Sequence, residues 1–172
     1  MSPRAILVGL PGSGKTSTGR RLASRLAVPF ADSDALVEAL AGRTVSAIFA
    51  DDGEPAFRQL EHAAIAAALD DFAGVLAVGG GAVTNAATRA ALVRCDVPVV
   101  LLDTSLATLA RRVGDGTTRP LLRRAPAQRL AELARERQPL YEEVATIRVD
   151  TDRRTADQVA AAIAVLLTQV RR

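Results

Sequence analysis

Lysine is almost missing from this chain. Arginine occurs 21 times and lysine once, at Lys15. A coding bias towards arginine accounts for the excess but not for the one lysine retained. That position points to a need for a compact ammonium, which a forked guanidinium does not replace. Trp is absent and aromatics make up 3% of the 172 residues, which argues against the stacking platforms of single-strand nucleic-acid binders. Cys95 is the only cysteine. An internal disulfide is therefore excluded, and no base motif beside Cys95 suggests a reactive thiol. His62 is the only histidine; beside Glu61 in a helical run, it reads as structural. No apolar run approaches the length of a membrane span. The first apolar run, Ala5 to Leu10, is too short for a signal-peptide core. The expectation is a soluble cytoplasmic protein.

Strong charge of one sign is missing too. The 22 basic residues face 19 acidic ones, for a formal net charge of +3. The excess hints at an anionic partner. The charges are spread along the chain, with no nucleic-acid arm and no polybasic anchor. Neither nucleic acid nor membrane is expected as a partner.

What the chain does have is alternation. Short apolar runs occur at Ala5 to Leu10, Val28 to Ala31, Val75 to Val78, Val97 to Leu102 and Thr146 to Val149. Most are nearly all apolar, as expected for strands covered on both faces. Helical patterns are predicted over Lys15 to Leu26, Asp34 to Ala41, Pro55 to Leu69, Thr84 to Arg94, Ser105 to Val113, Ala127 to Arg137 and Ala156 to Val170. The last opens on Thr155-Ala-Asp-Gln158, a capping-box pattern. The alternation predicts an α/β domain with a parallel sheet. Two stretches break it. Asp32 to Glu61 holds two or three helices between the second and third strands. Gly114 to Pro126, rich in Gly, Thr, Arg and Pro, reads as a mobile loop over a site.

Gly9-Leu-Pro-Gly-Ser-Gly14-Lys15-Thr16 fits G-x-x-x-x-G-K-[ST]. Glycines let the backbone curl so that successive N–H groups converge on phosphate oxygens. The following helix adds its positive end. Lys15 supplies a mobile charge for the β- and γ-phosphates, and the Thr16 hydroxyl suits Mg²⁺. The only lysine of the chain falls at the motif's critical position. A phosphate loop does not name the acceptor. The third apolar run, Val75 to Val78, carries no carboxylate for a metal and runs into Gly79-Gly80-Gly81. The nearest acidic candidates are Asp32 and Asp34.

In this order the pieces resemble the shikimate kinase family, especially its actinobacterial type, over essentially the whole chain. Gly9 to Thr16 is similar to its phosphate loop and Asp32-Ser-Asp34 to its D-x-D. Phe49-Ala-Asp-Asp-Gly-Glu-Pro-Ala-Phe-Arg58 resembles its I-F-x-x-x-G-E-x-x-F-R segment. Gly79-Gly80-Gly81 matches its triple glycine, Arg119-Pro-Leu-Leu122 its lid and Arg137-Gln-Pro-Leu-Tyr141 its R-x-P-L-Y. Thr16 stands where many relatives have serine, and the lid after Leu122 departs from the pattern.

The resemblance implies one kinase domain over residues 1–172. It would be a three-layer P-loop NTPase fold like that of nucleoside monophosphate kinases, with a five-stranded parallel sheet. A helical substrate-binding insertion (about 32–61) and a lid (about 114–126) would complete it. It implies transfer of the ATP γ-phosphoryl group to the 3-hydroxyl of shikimate, in the pathway to chorismate and aromatic amino acids, with Mg²⁺ and as a monomer. Asp34, Lys15 and Arg119 would be catalytic. Gly12, Ser13, Gly14, Lys15, Thr16, Ser17, Arg112, Arg119 and Arg154 would hold ATP, and Thr16 and Asp32 the metal. Arg58 and Arg137 would fork the shikimate carboxylate, with Asp34, Gly80, Gly81, Glu61, Phe49 and Phe57 around the ring. Val45 and Pro120 would add apolar wall. Glu61, three residues beyond Arg58 on one helix face, would fix it. Read without the family, Arg58 and Arg137 could be solvated helix residues, Asp34 a helix N-cap, and the glycines a strand-ending turn. The rival functions are a gluconate or nucleoside monophosphate kinase, and a nucleotide-binding regulator without turnover.

Overall fold

The computed structural model describes residues 2–113 and 126–170. Residues 114–125 of the predicted lid, with Arg119, Pro120, Arg123 and Arg124, lie outside the described residues; Pro126, its predicted end, instead opens a helix. Five strands form the sheet: β1 (Ala5–Val8), β2 (Phe30–Asp32), β3 (Val75–Ala77), β4 (Val99–Asp103) and β5 (Ile147–Asp150). Their order is β2-β3-β1-β4-β5, and every neighbouring pair is parallel. All four residues of β1 are buried, whereas edge strand β5 alternates buried and exposed. The central strand therefore reads as a continuous apolar run and the edge does not.

Around the sheet lie α1 (Lys15–Leu26), α2 (Ser33–Ala41), α3 (Val45–Asp51), α4 (Gly53–Asp71), α5 (Ala86–Arg94), α6 (Leu106–Val113), α7 (Pro126–Val144) and α8 (Ala156–Val170). Two cores flank the sheet. On one face Leu22 of α1 and Val159 and Ile163 of α8 pack on Leu7, Val100 and Val149. On the other, Ile65 of α4, Leu92 of α5, Leu109 of α6 and Leu133 and Tyr141 of α7 pack on Ile6, Leu76 and Leu101. These are the three layers expected. A third small core, with Val37, Ile48, Phe57 and Ala64, joins α2, α3 and α4. It gives the helical insertion an apolar anchor of its own.

Local chemistry explains most boundaries. Thr155 and Gln158 satisfy each other's backbone N–H groups, so the capping box forms as expected. The N-cap of α2 is Asp32, whose carboxylate accepts from the Asp34 N–H. Asp34 is therefore not the cap but a first-turn residue. Two predicted boundaries shift. Val28 is not strand: its N–H bonds back to Ala23 O and closes the C-terminus of α1. The predicted end of α7 at Arg137 gives way to a helix that continues through Pro139 to Val144. Pro139 is exposed, so water can satisfy the carbonyl it leaves unbonded. Burial of Tyr141 and Val144 beyond it offsets the lost hydrogen bond.

β1 and β4 are neighbours, yet the chain leaves β1 towards β2 and leaves β4 towards β5. That reversal opens a crevice beyond the C-terminal ends of these strands, where α/β sheets bind ligands. The phosphate loop follows β1 at that point.

Candidate active site

A cleft of about 1180 Å³ runs from the phosphate loop across the ends of β1 and β3 to the helical insertion. Gly12 to Thr18 line one end, with Arg112 and Arg154. Asp32, Asp34 and Gly79 to Gly81 lie between. Phe49, Phe57, Arg58, Glu61 and Arg137 line the other end, with Val45, Ser46 and Ala50. Every predicted site residue that is described borders this one cleft, including Ser17 and Arg154.

The loop adopts the curl its glycines permit. Gly9, Gly12 and Gly14 have φ of 146°, 87° and 96°, values that other residues rarely reach. Lys15 Nζ donates to Gly9 O at 2.7 Å and Leu10 O at 3.1 Å, folding the ammonium over the loop. Ser13 is buried, and its Oγ has no hydrogen-bond partner. Arg112 donates to Ser13 O at 3.3 Å and Thr151 O at 3.1 Å, tying α6 to the loop and to the turn after β5. Thr151 was not singled out in the sequence, and its link to Arg112 spans 39 residues.

Thr16 Oγ1 donates to Asp32 Oδ2 at 2.9 Å. Two hard oxygens thus converge from the start of α1 and the cap of α2. They fit a Mg²⁺ that takes its remaining ligands from phosphates and water. Among the described residues no group of three or more His, Cys, Asp or Glu side chains could hold a metal alone.

Asp34 stands beside this pair. Burial, and then the neighbouring Asp32 charge, push its carboxyl above the usual range, against the pull of Lys15 and Arg58. Across the glycine turn lies an ion-pair array on α4. Arg58 Nη1 donates to Glu61 Oε2 at 2.5 Å, while its Nη2 and Nε reach Glu54 Oε1 at 3.0 and 3.3 Å. The expected Arg58–Glu61 pair forms, and Glu54 is a second partner that was not anticipated. Burial would lower the Arg58 charge, but Glu61 and Glu54 more than offset it. Burial raises the Glu61 carboxyl despite Arg58. Glu61 Oε1 is buried with no partner.

The glycine turn owes its residue type to these neighbours. A methyl at Gly81 would land on the Arg58 guanidinium, and one at Gly79 on Glu61 Oε1 and near Asp34 Oδ1. Ser33 Oγ accepts the Gly79 N–H at 2.8 Å, and Arg137 Nη1 donates to Gly80 O at 2.9 Å. Arg137 is 5% exposed, and its Nε is buried without a partner. Phe49 and Phe57 stack with centroids 4.6 Å apart and wall the acceptor end. His62 Nδ1 meets Thr88 Oγ1 at 3.2 Å outside this cleft, consistent with a structural role. The Cys95 thiol donates to Leu92 O, and burial raises it, which disfavours a thiolate.

A phosphate loop at the reversal point of this sheet, sharing one cleft with a helical insertion that carries Arg58 and Glu61, defines a P-loop kinase fold of the nucleoside-monophosphate-kinase-like class. A family model described as shikimate kinase matches residues 11–168. The chain belongs to the shikimate kinase family. It is 51% identical to a shikimate kinase of Salinispora tropica over 97% of this chain and 99% of that one. A shikimate kinase of Thermobifida fusca is 49% identical over 94% of this chain and 93% of its own length. Among solved structures, the shikimate kinase of Acinetobacter baumannii in complex with shikimate superposes with a TM-score of 0.91. That pair is 37% identical and covers 98% of this chain and 94% of that one. A gluconokinase of Sinorhizobium meliloti shares the fold, with a TM-score of 0.63 at 24% identity, covering 99% of this chain and 96% of that one. Among the described residues no helix is long and apolar enough to cross a membrane.

Proposed function

We propose that this chain transfers the γ-phosphoryl group of ATP to the 3-hydroxyl of shikimate, giving shikimate 3-phosphate and ADP. One observation carries the reading: a single cleft joins Lys15 and Thr16 to Arg58 and Arg137, with Asp34 between them. The ligand in the A. baumannii relative supports the choice of acceptor.

The triphosphate tail lies along the Gly12–Ser17 amides, and Lys15 moves from the loop carbonyls onto the β- and γ-phosphates. Arg112 and Arg154 flank the nucleotide. Arg137 and Arg58 fork the shikimate carboxylate. The open Arg137 Nε and Glu61 Oε1 offer one buried donor and one buried acceptor to a small polar ring. Phe49 and Phe57 exclude water from one side. Asp34 orients the 3-hydroxyl and accepts its proton as the new P–O bond forms. The bond from γ-phosphorus to the β,γ-bridging oxygen breaks, and that oxygen leaves on ADP with the electron pair. The raised proton affinity of Asp34 makes it a better base than an exposed aspartate. Mg²⁺ held at Thr16 and Asp32 would neutralise phosphate charge. Arg119, outside the described residues, would neutralise charge on the transferred group. All these groups come from one chain, so the reading is of one domain working as a monomer.

An ADP-release assay with Mg²⁺, ATP and a panel of shikimate, gluconate and nucleoside monophosphates tests the reading. Turnover is expected with shikimate. A faster rate on gluconate or a nucleotide would overturn it.

A further inference from the structure

Tyr141 lies behind the acceptor end, in the core between α7 and the sheet, and the phosphoryl transfer outlined above gives it no role. It is the only tyrosine of the chain. Its side chain is 1% exposed, and its hydroxyl donates to Gly80 O at 2.5 Å. Arg137 Nη1 donates to the same oxygen at 2.9 Å. Arg137 and Tyr141 are four residues apart on α7 and share a helix face. One carbonyl oxygen thus receives two donors, one for each lone pair.

The consequence follows from peptide geometry. In a trans peptide the C=O and the following N–H point in opposite directions. Pinning Gly80 O onto α7 therefore aims the Gly81 N–H away from α7. The same carbonyl also holds Arg137: Nη1 is fixed on Gly80 O, and the buried, unpartnered Nε is left open to a ligand.

We propose that the Tyr141 hydroxyl is a positioning group for acceptor binding, locking the Gly80 carbonyl and the Arg137 guanidinium into one unit. Resting on the shikimate reading, this names the residue that orients two of its proposed contacts. Tyr141 itself touches neither substrate nor nucleotide.

The test is Tyr141→Phe, which keeps the ring and removes only the donor. Steady-state kinetics are measured in shikimate and in ATP, alongside the thermal midpoint. A neutral hydrogen bond of ordinary worth predicts a shikimate KM raised about fivefold to tenfold. The ATP KM should stay within about twofold: Gly80 packs on Pro11 and the Gly9 carbonyl, but the Tyr141 hydroxyl bonds to Gly80 O and to none of the Gly12–Ser17 amides proposed for the triphosphate. Equal changes in both KM values, or none, would overturn the proposal. A second measurement needs no variant. With fluorotyrosine incorporated, the chain carries one ¹⁹F resonance from position 141. That resonance is expected to move more on adding shikimate than on adding ADP; an equal or smaller response to shikimate overturns the proposal. Wild-type protein that fails to phosphorylate shikimate refutes the functional reading instead, so the two failures are told apart.

Discussion

Arg58 and Glu61 meet at 2.5 Å across one turn of α4, and the Glu61 side chain is 1% exposed. Substrate binding and fold stability therefore share a residue. Arg58→Ala removes a proposed shikimate contact and also strands a buried carboxyl. Breaking a buried pair by removing one partner costs about 3–5 kcal/mol. Burial already raises Glu61, so without Arg58 the folded state holds that proton more strongly still. Folded protein then binds more protons than unfolded protein, and stability falls as pH rises above the usual 4.5. The thermal midpoint of Arg58→Ala should drop relative to wild type, by less in acid than at neutral pH. Arg137→Ala, whose observed partner is a carbonyl, should weaken shikimate capture by roughly 2–5 kcal/mol with a smaller drop in midpoint. Equal midpoints for the two variants at neutral pH would contradict this division.

Glu54 engages the Arg58 Nη2 and Nε edge and is itself 49% exposed. Such a pair is worth about 0–1 kcal/mol. A substrate carboxylate arriving at Arg58 competes with it. Glu54→Gln should therefore lower the shikimate KM, by at most about fivefold, and leave the ATP KM unchanged. A raised shikimate KM would mean that Glu54 orients Arg58 instead of competing for it.

Asp32 has two duties, capping α2 and accepting from Thr16. Asparagine caps as well as aspartate but is a weaker metal ligand. Asp32→Asn should keep the thermal midpoint and raise the Mg²⁺ concentration needed for half-maximal rate. An unchanged Mg²⁺ titration would remove Asp32 from the metal site.

Asp34 is destabilising when ionised, because burial and Asp32 raise it above the usual 3.8. The folded state holds its proton more tightly than the unfolded state. Stability is therefore lost as pH rises from 3.8 through the raised value. Asp34→Asn should raise the thermal midpoint at neutral pH, with the gain fading in acid. It should lower kcat by about 10²–10⁴-fold with little change in ATP affinity. Wild-type kcat should fall on the acid side as Asp34 takes up its proton. A variant with full kcat would end its assignment as the base.

Features that depend on neighbours in sequence were the most legible. The phosphate loop, the bounds of α1 and α8, the capping box and the Arg58–Glu61 pair all arise within a few residues. The insertion between β2 and β3 was visible as a break in the alternation, but α3, with seven residues, is too short to show a period. The run of α7 past Pro139 was not legible, because exposure, which lets a helix tolerate proline, is a tertiary fact. The Tyr141 bond to Gly80 spans 61 residues, and the Ser33 bond to Gly79 spans 46. No local pattern carries such contacts. Glu54 lies in the same 49–58 segment as Arg58, yet its hold on Arg58 depends on the helix that joins them.

In the proposed reaction Lys15, Asp34 and the two arginines line up one alcohol against the end of a bound triphosphate. Phosphorus NMR of the purified chain with Mg²⁺, ATP and shikimate reads this alignment from its product. A new phosphate monoester signal is expected to grow in step with ADP, with no such signal from Lys15→Met, which should remain folded. ATP converted to ADP and free phosphate with no ester formed, or an ester produced equally well by Lys15→Met, would contradict it.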